Sequence, residues 1–456
     1  MSITIIFNGF TVFIELVRRI CVDMKEKKSL KERMLFTCLI LLMVHFLSQI
    51  PLWGINREVI DTWLSDGMMS ALGVFNLFSG LSFESLSIFA LGIAPYISAS
   101  IILQLLRVAI PALDKMCKDA KSEKDYVEKL TVMGAVVLGV IQTIPIVVNI
   151  ANNGLLMENT VMYKLIVGGS IFVGSLILIA LGKWIDKCGI GKGISLILLI
   201  NILSSLKSDL IGIYQNFVAG QEVSMAALAL GITLVVVVFS LIVVIFLQEG
   251  KKDVKVTYPT NNKHATRVSN SVQSVIPLKV NMSGVMPVIF ASTIVQMVPM
   301  ITAFMKLEEG SVALEISKYF NQLYWFNFSD IKYTVGVLLY FLAIVFFSYF
   351  YNMISFNVRD VAENLSRQGA TIQGIRAGKS TQDYLNSQMK YLVLVGALLL
   401  IVVTVIPMII GGVIGYNLSF GGTSIIIIVS VLIETFRTFE SEKTLENPYS
   451  AGKGLL

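Results

Sequence analysis

The residues able to do acid–base, nucleophilic or metal chemistry are few in this sequence and form no catalytic pattern. Its only histidines are His45 and His264, and neither has the neighbouring cysteine or carboxylate spacing of a metal site. Two glycine- and lysine-containing stretches, residues 189–195 and 374–380, lack the spacing of a phosphate-binding loop. The sequence therefore predicts neither an enzyme nor a bound metal or cofactor.

Carboxylates in the middle of a membrane span would indicate coupling to an ion gradient. The acidic residues nearest to the apolar segments, such as Glu84, Asp186 and Glu434, instead lie close to segment ends. This placement argues against a proton- or sodium-coupled transporter. His45 lies within an apolar segment, where a helix-packing role is a simpler interpretation than a proton relay.

A nine-residue motif that occurs twice is the strongest functional pattern in the chain. Residues 92–100 read GIAPYISAS and residues 284–292 read GVMPVIFAS, with five of nine positions identical. Gly and Pro weaken a helix, and a bilayer tolerates them mainly where other helices or a water-filled cavity satisfy the freed backbone groups. A single copy is explained as well by a helix contact. Two copies in corresponding segments favour a central pathway built from repeats.

The elements that must position this motif are membrane helices. The chain has 456 residues, is 55% hydrophobic and only 14% charged, and has a mean hydropathy of +0.77. A soluble chain carries roughly 25% charged residues. The four cysteines show no disulfide framework. We therefore predict a polytopic membrane protein.

Ten segments are long and apolar enough for a bilayer core, which needs about 20 residues per helix. They are residues 33–52, 86–110, 129–151, 161–185, 193–213, 225–248, 283–304, 332–355, 389–411 and 418–440. Of the 36 Lys and Arg residues, six fall on the side opposite the termini: Arg57, Lys164, Lys207, Lys306, Lys318 and Lys332. Because basic residues collect in the cytoplasm, both termini are expected there.

The spans divide into two five-helix halves, residues 33–213 and 214–440. Five is an odd number, so homologous halves must insert with opposite orientations, as an inverted-topology repeat. The motif then falls in spans 2 and 7. A weaker match, between residues 193–198 and 422–427, relates spans 5 and 10.

Three connecting regions carry further predictions. Residues 73–84, on the outer side, favour either a short re-entrant helix or an interfacial helix. Two long basic loops, at about residues 248–280 and 356–390, are expected in the cytoplasm, where anionic lipid is one contact for them. Within the first loop, alternation over residues 254–258 predicts a β-hairpin. The flanking residues 1–32 and 441–456 are predicted to be a cytoplasmic amphipathic segment and a cytoplasmic tail.

Several of these strings resemble the SecY/Sec61 family of protein-conducting channels, in particular its bacterial SecY branch. The similarity is densest at residues 87–106, 189–196 and 277–287, with shorter matches at 361–365, 374–379 and 421–424. The resemblance implies an all-α polytopic membrane protein with ten transmembrane helices. These would form two inverted five-helix halves around a central hourglass pore, with a re-entrant plug helix at about 73–84 and a lateral gate between spans 2 and 7.

The resemblance also implies roles for individual residues. The apolar pore ring would be Ile93, Ile97, Ile194, Leu198, Met286, Ile289 and Ile427. The plug would contain Phe75, Asn76, Leu77, Phe78, Ser79 and Gly80. The lateral gate would include Pro95, Ser98, Gln104, Pro287 and Gln296. Motor and ribosome docking would use Lys251, Lys252, Arg267, Arg359, Arg376 and Lys379.

The implied function is the central pore-forming subunit of the Sec protein translocase in the bacterial cytoplasmic membrane. Such a subunit conducts unfolded preproteins across the membrane and releases transmembrane segments laterally. Implied partners are SecE-like and SecG-like small membrane subunits, the SecA ATPase that hydrolyses ATP, the ribosome, signal sequences, unfolded preproteins and anionic lipids. No cofactor and no nucleic-acid recognition by the chain itself are expected.

Three other interpretations compete with a housekeeping channel. Atypical sequence in span 1 and in the cytoplasmic loops leaves open an accessory SecY paralogue for selected substrates. An inverted-repeat secondary transporter would need polar ligands at the midplane, and an intramembrane enzyme would need a buried catalytic group. Three glutamines within spans, Gln104, Gln142 and Gln296, fit a gate cluster and interhelical hydrogen bonds equally well.

Overall fold

The computed structural model describes residues 29–55, 82, 85–119, 122–213, 223–258, 272–304, 311–321, 325, 331–414 and 422–446. Statements about structure below concern these residues. The described chain is mostly helical, with one small sheet. It divides into two compact units: Met1–Leu210 with Val431–Leu456, and Ile211–Ser430.

Six helices of the described residues precede the middle of the chain. They are α1 (Leu30–Ser48), α2 (Ala94–Ala109), α3 (Pro111–Lys118), α4 (Glu123–Asn152), α5 (Val161–Cys188) and α6 (Gly193–Ile213). The following elements are α7 (Val223–Glu249), β1 (Lys251–Tyr258), β2 (Val272–Lys279), α8 (Met286–Phe304), α9 (Val312–Phe320), a 3₁₀ turn (Ile331–Thr334), α10 (Val335–Ser355), α11 (Val358–Arg367), β3 (Thr371–Ile372), α12 (Lys379–Ile414) and α13 (Gly422–Glu446).

Five helical stretches among the described residues are long and apolar enough to cross a membrane. They are Glu123–Asn152, Val161–Cys188, Lys332–Arg367, Lys379–Ile409 and Gly422–Thr444. A sixth results if α2 and α3, which meet at 107°, count as one broken span. Three further apolar stretches are shorter: Gly193–Ser205, Leu234–Glu249 and Met286–Pro299. The prediction of a helical polytopic membrane protein is thus confirmed at the level of five to six spans.

The turn between α2 and α3 is held by a charge cluster within the first unit. Arg107, in the last turn of α2, lies 2.9 Å from Asp114 of α3 and 2.5 Å from Glu123 of α4. Lys118 also pairs with Asp114, at 2.7 Å. The hydrogen bond from Lys118, with that from Arg107, keeps the pKa of Asp114 below its ordinary value.

A second set of contacts in the first unit surrounds the turn between α5 and α6. Arg33 of α1 donates to the carbonyl of Gly189 at 2.7 Å and pairs with Glu442 of α13 at 2.9 Å. The Ile190 amide donates to Thr37 Oγ1 at 3.0 Å. Three segments far apart in sequence are therefore fastened at one turn.

The described cysteines differ in their covalent state. Cys38 and Cys117 are free thiols, whereas Cys188 is disulfide-bonded. The sequence showed no disulfide framework and did not indicate this single bond. Sequence spacing gave no signal, because a disulfide requires only that two cysteines come within bonding distance in the folded chain.

The second unit contains a three-stranded antiparallel sheet with the order β2-β1-β3. β1 and β2 pair along their full length, from Lys251 opposite Lys279 to Tyr258 opposite Val272. This pairing confirms the predicted β-hairpin. β3 comes from the other long loop and places Ile372 opposite Val256, so the two loops form one body.

This sheet has its own hydrophobic core with α11 and the start of α12. The buried residues are Val254, Val256, Leu278, Val358, Leu365, Ala370, Ile372, Leu385, Met389 and Val393. α11 starts at an Asn357 cap, whose Oδ1 accepts from the amides of Arg359 and Asp360 at 3.2 and 3.4 Å. The loops therefore position their polar residues on a packed scaffold.

Candidate pore helices and docking surface

The repeated motif starts a helix in both units. Gly92 has φ +58° and Gly284 has φ +64°, and the helices begin two residues later, at Ala94 and Met286. Positive φ costs glycine little, whereas a residue with a Cβ is strained there. The chain thus turns sharply at the glycine of each copy.

The proline of each motif lies in the first turn of its helix. Pro95 is the second residue of α2 and Pro287 the second of α8, where a missing amide hydrogen costs no helical bond. The first hydrogen bonds also match, because the carbonyl of Ile93 accepts from Tyr96 and Ile97 while that of Val285 accepts from Val288 and Ile289. The predicted interruption within a span is therefore a helix start, preceded in the first copy by turns over residues 85–92.

Close backbone contacts accompany both motifs. In the first unit, a Cβ at Gly174 of α5 would collide with the carbonyl oxygen of Ile88. In the second unit, a Cβ at Gly396 of α12 would lie 2.7 Å from the carbonyl oxygen of Val280. Ile88 and Val280 each precede their motif glycine by four residues. In each unit, the chain just before the motif therefore packs directly against a glycine of a long apolar helix.

The weaker repeat shows the same kind of packing. α6 begins at Gly193 and α13 at Gly422. A Cβ at Gly193 would collide with the carbonyl of Gly182 in α5, and a Cβ at Gly422 with the carbonyl of Val403 in α12. In both pairs, α5 with α6 and α12 with α13, a glycine at the start of the second helix therefore lets it touch the backbone of the preceding long helix.

The sequence-predicted ring residues are distributed over both units. Ile93, Ile97, Ile194 and Leu198 belong to the first unit, and Met286, Ile289 and Ile427 to the second. Four of them are buried: Ile93, Leu198, Ile289 and Ile427. Ile97, Ile194 and Met286 are partly exposed. All seven lie at or near the helix starts described above, and their role in a pore ring stays a prediction.

Polar side chains line the predicted gate helix α2. Gln142 of α4 donates to Ser98 Oγ at 3.5 Å, and Gln104 donates to Ser100 Oγ at 3.1 Å within α2. Among the described residues, the Oε1 atoms of both glutamines are buried without a hydrogen-bond partner. Gln296 lies in α8, but its side chain is outside the described residues.

Arg376 is presented by a compact turn next to the sheet. Gly374 and Gly378 have φ +81° and +94°, and the carbonyl of Arg376 accepts from Thr381 Oγ1 at 2.9 Å. The Ile375 amide donates to the carbonyl of Ile372 at 2.9 Å, which joins the turn to β3. These hydrogen bonds therefore fix the backbone of the turn that carries the exposed Arg376 guanidinium.

Other predicted docking residues lie in the same unit. Lys251 and Lys252 of β1, Arg359 of α11 and Lys379 of α12 are all exposed. Lys252 Nζ donates to Gln388 Oε1 of α12 at 2.5 Å, which joins the hairpin to that helix. Arg267 lies outside the described residues. Five of the six predicted positions are therefore carried by one structural unit, and their docking role stays a prediction.

The remaining candidates give no catalytic arrangement. Asp186 Oδ1 accepts from the Gly193 amide at 2.6 Å, and Glu434 pairs with Lys192 at 2.7 Å. His45 Nδ1 lies 2.8 Å from Ser204 Oγ of α6, which is a helix-packing contact. The six predicted plug residues, within residues 75–80, lie outside the described chain, as does Glu84. The described residues contain no group of three or more metal-ligating side chains.

Sequence reasoning missed two parts of the docking surface. β3 is only two residues long, so alternation cannot reveal it. For α11, a signal was present: Asn357 is a favoured cap residue, and Val358, Ala362 and Leu365 follow at helical spacing.

Comparison with known proteins places this geometry in a family. A profile of the SecY family matches residues 87–436, more than half of the chain. The chain belongs to the SecY family. It is 31% identical over 422 residues to the protein translocase subunit SecY of Helicobacter pylori, covering 91% of this chain and 96% of that one. It is 34% identical over 411 residues to the Escherichia coli protein of the same name, covering 89% and 90%.

Solved structures with the same fold are SecY and Sec61 channels. One described as a protein conducting channel covers 94% of this chain with a TM-score of 0.66 and 16% identity. Sec61 in a canine ribosome-channel complex covers 94% with a TM-score of 0.62 and 15% identity. At these identities the matches establish the fold of this SecY-family chain, and the relatives above establish the family.

Proposed function

We propose that this chain is the central pore-forming subunit of a Sec protein translocase in the cytoplasmic membrane of a bacterium, with both termini in the cytoplasm. It conducts unfolded preproteins across the membrane and releases transmembrane segments laterally. The observation that carries the proposal is the pair of matched helix starts at Gly92 and Gly284, in a chain whose relatives are named protein translocase subunit SecY.

The proposed architecture has ten helices in two inverted halves around an hourglass pore. Its support is the shared packing within each unit, where a motif helix start is seated against Gly174 or Gly396 and a second helix start approaches through Gly193 or Gly422. Internal repeats of this kind, with broken segments at corresponding positions, are typical of membrane pathways between two halves.

The proposed pore ring is apolar, and this explains why no binding site is needed. Isoleucine, leucine and methionine side chains at a constriction exclude water and seal a pore without binding any particular peptide sequence. Ile93, Ile97, Ile194, Leu198, Met286, Ile289 and Ile427 would form the ring. The plug, within residues 73–84, would complete the seal from the outer side.

The proposed lateral gate lies between α2 and α8. The gate helix α2 makes one 3.5 Å contact from Gln142 to Ser98, and the buried Gln104 Oε1 has no partner among the described residues. The Gln142–Ser98 contact and the Arg107–Glu123 pair join α2 to α4 inside its own unit, so neither needs to break when the gate opens. An apolar signal helix that enters between α2 and α8 can pass into the lipid at small cost, because lipid tails are as apolar as the helix face.

Energy must come from partners, which we propose to be SecA or a translating ribosome, with SecE-like and SecG-like subunits completing the channel. The support is the exposed basic surface on the β1–β3 sheet and the Arg376 turn, and the ribosome-bound channel among the structural neighbours. Anionic headgroups would bind the same basic loops when no partner is bound.

The test is translocation of a preprotein into proteoliposomes that contain this chain, a SecE partner and SecA with ATP. Protease-protected substrate is expected, and it should disappear with Arg376→Glu. The matched control is Arg367→Glu, an exposed arginine of α11 whose ion pair with Glu363 is a helix surface pair worth about 0.5 kcal/mol. The control should translocate normally.

Two outcomes would overturn the proposal. A folded complex that protects no substrate would reject the channel function. Equal loss of translocation in Arg376→Glu and Arg367→Glu would reject a specific docking role for Arg376 and indicate a general charge effect.

A further inference from the structure

Helix α9, in the second unit, has exposed apolar side chains of the kind that a helix of a soluble protein would bury. Val312 is 75% exposed and Ile316 is 48% exposed, and their spacing of four residues places them on one helix face. None of the α9 residues is fully buried. Exposed apolar faces of this kind mark interaction surfaces.

A cluster of aromatic side chains, Tyr319, Trp325, Tyr333 and Tyr340, joins α9 to the start of α10. The rings of Tyr319 and Tyr333 meet edge to face with centroids 5.1 Å apart. Trp325, which is buried, donates its Nε1 hydrogen to the carbonyl of Tyr319 at 2.9 Å and packs 5.7 Å from Tyr340 of α10. A Cβ at Gly336 would collide with the same carbonyl. α9 is therefore fixed against the start of α10.

Two lysines lie beside this aromatic cluster. Lys332 Nζ is 4.7 Å from the centre of the Tyr333 ring and 3.6 Å from Glu315, and its side chain is 53% exposed. Lys318 Nζ is 6.0 Å from the same ring centre. Both ammonium groups therefore lie near the Tyr333 ring. The basic-residue distribution of the sequence assigns this region to the outer side of the membrane.

The spanning helix α10, which follows α9 in the chain, also has exposed apolar side chains at its start. Val335, Leu338 and Leu342 are exposed on the first turns of the spanning helix α10. Lys332 precedes Val335 by three residues, about 5 Å along a helix. α9 is therefore placed where the headgroup region meets the hydrocarbon core, which is the depth at which interfacial helices lie.

We propose that α9 is an interfacial anchor in the outer leaflet. Val312 and Ile316 insert at the boundary between headgroups and acyl chains, and Lys318 and Lys332 bind the phosphates of anionic phospholipid. Long lysine side chains reach the headgroups while their methylene stems stay against apolar surface. Such an anchor goes beyond translocation itself, since it fixes the depth of the helices that α9 connects.

The insertion is tested with Ile316→Trp in the full-length protein, reconstituted in nanodiscs of brominated phosphatidylcholine. Interfacial helices lie about 5–10 Å into the boundary region, so bromines near the carboxyl end of the acyl chain should quench the introduced indole more than bromines near the methyl end. The matched control is Ser366→Trp, at an exposed position of the amphipathic helix α11. Its added fluorescence should not be quenched by either lipid.

The charge contribution is tested by native mass spectrometry of protein from nanodiscs containing phosphatidylglycerol. Lys332→Gln should reduce retained phosphatidylglycerol about fivefold, the effect of one lysine at an anionic surface. Lys332→Arg, which keeps the positive charge, is the control and should leave the retained phosphatidylglycerol unchanged.

Two results would overturn the proposal. Quenching of the introduced indole no greater than in the Ser366→Trp control, in protein of unchanged melting temperature, would place α9 in water. Unchanged phosphatidylglycerol retention in Lys332→Gln would reject phosphate binding by that lysine.

Discussion

The coupling of the two cytoplasmic loops through β3 can be tested with one substitution, Ile372→Ala. Ile372 is 4% exposed and packs in the core beneath the sheet, opposite Val256 of β1. Truncation of a buried isoleucine to alanine costs about 2–4 kcal/mol, from the lost burial and the cavity left behind. The loss falls first on the local stability of the sheet, because this core is built from the sheet, α11 and only the start of the spanning helix α12.

The expected result is faster amide hydrogen exchange in β1. If β1 exchanges through opening of this sheet, each 1.36 kcal/mol of lost stability raises the exchange rate tenfold. Ile372→Ala should therefore accelerate exchange in peptides covering residues 251–258 roughly thirtyfold to nearly a thousandfold. Translocation with SecA should also weaken, because the Arg376 turn hydrogen-bonds to Ile372.

The neighbouring substitution Thr371→Ala provides the control. Thr371 lies in the same short strand with its side chain exposed, so its truncation should change stability by no more than about 0.5 kcal/mol. The reasoning is refuted if Ile372→Ala leaves β1 exchange as slow as in Thr371→Ala, since β3 would then contribute nothing to the scaffold.

Three further predictions concern single positions. Gly422→Ala should lower the free energy of unfolding by about 1–3 kcal/mol, because the added Cβ would meet the backbone of α12. Gly169→Ala is the control and should not lower it, because a Cβ there meets nothing within 4 Å. Equal melting temperatures of the two variants would contradict the close packing at Gly422. Asn357→Ala should cost about 1 kcal/mol through loss of the α11 cap, measured by proteolysis of the loop, while the exposed Asn364→Ala should have little effect. Asp114→Asn should lower the melting temperature at neutral pH only: the lowered pKa of Asp114 means that its contribution is present above the ordinary aspartate pKa and is lost as the pH falls through the lowered value. A melting-temperature difference between wild type and Asp114→Asn that stays the same at all pH values would contradict this prediction.

Much of the membrane character was readable from the sequence because it depends on local composition. Apolar segment length predicts helices in a bilayer whatever their neighbours are, and the hairpin at β1 and β2 follows from alternation within a few residues. The repeated Gly-x-x-Pro motif was likewise visible in the sequence, although the positive φ of Gly92 and Gly284 was not predicted from it. These features are properties of short stretches of chain.

The details that depend on contacts between distant residues were not readable. The motif was expected to interrupt a span, yet in both copies it starts a helix, since the preceding carbonyl is seated against Gly174 or Gly396 of another helix. β3 forms only because Val256 offers it a partner strand more than a hundred residues earlier. No local pattern encodes such a partner.

The sequence by itself determined that this is a helical membrane protein with a repeated Gly-x-x-Pro motif and two basic loops, because hydropathy, turn chemistry and charge act over short distances. The tertiary structure decided that the loops share one sheet and core, that Arg376 projects from a turn joined to β3, and that Arg33 fastens α1 to Glu442. Those outcomes require the folded chain to bring separated surfaces within van der Waals and hydrogen-bonding distance.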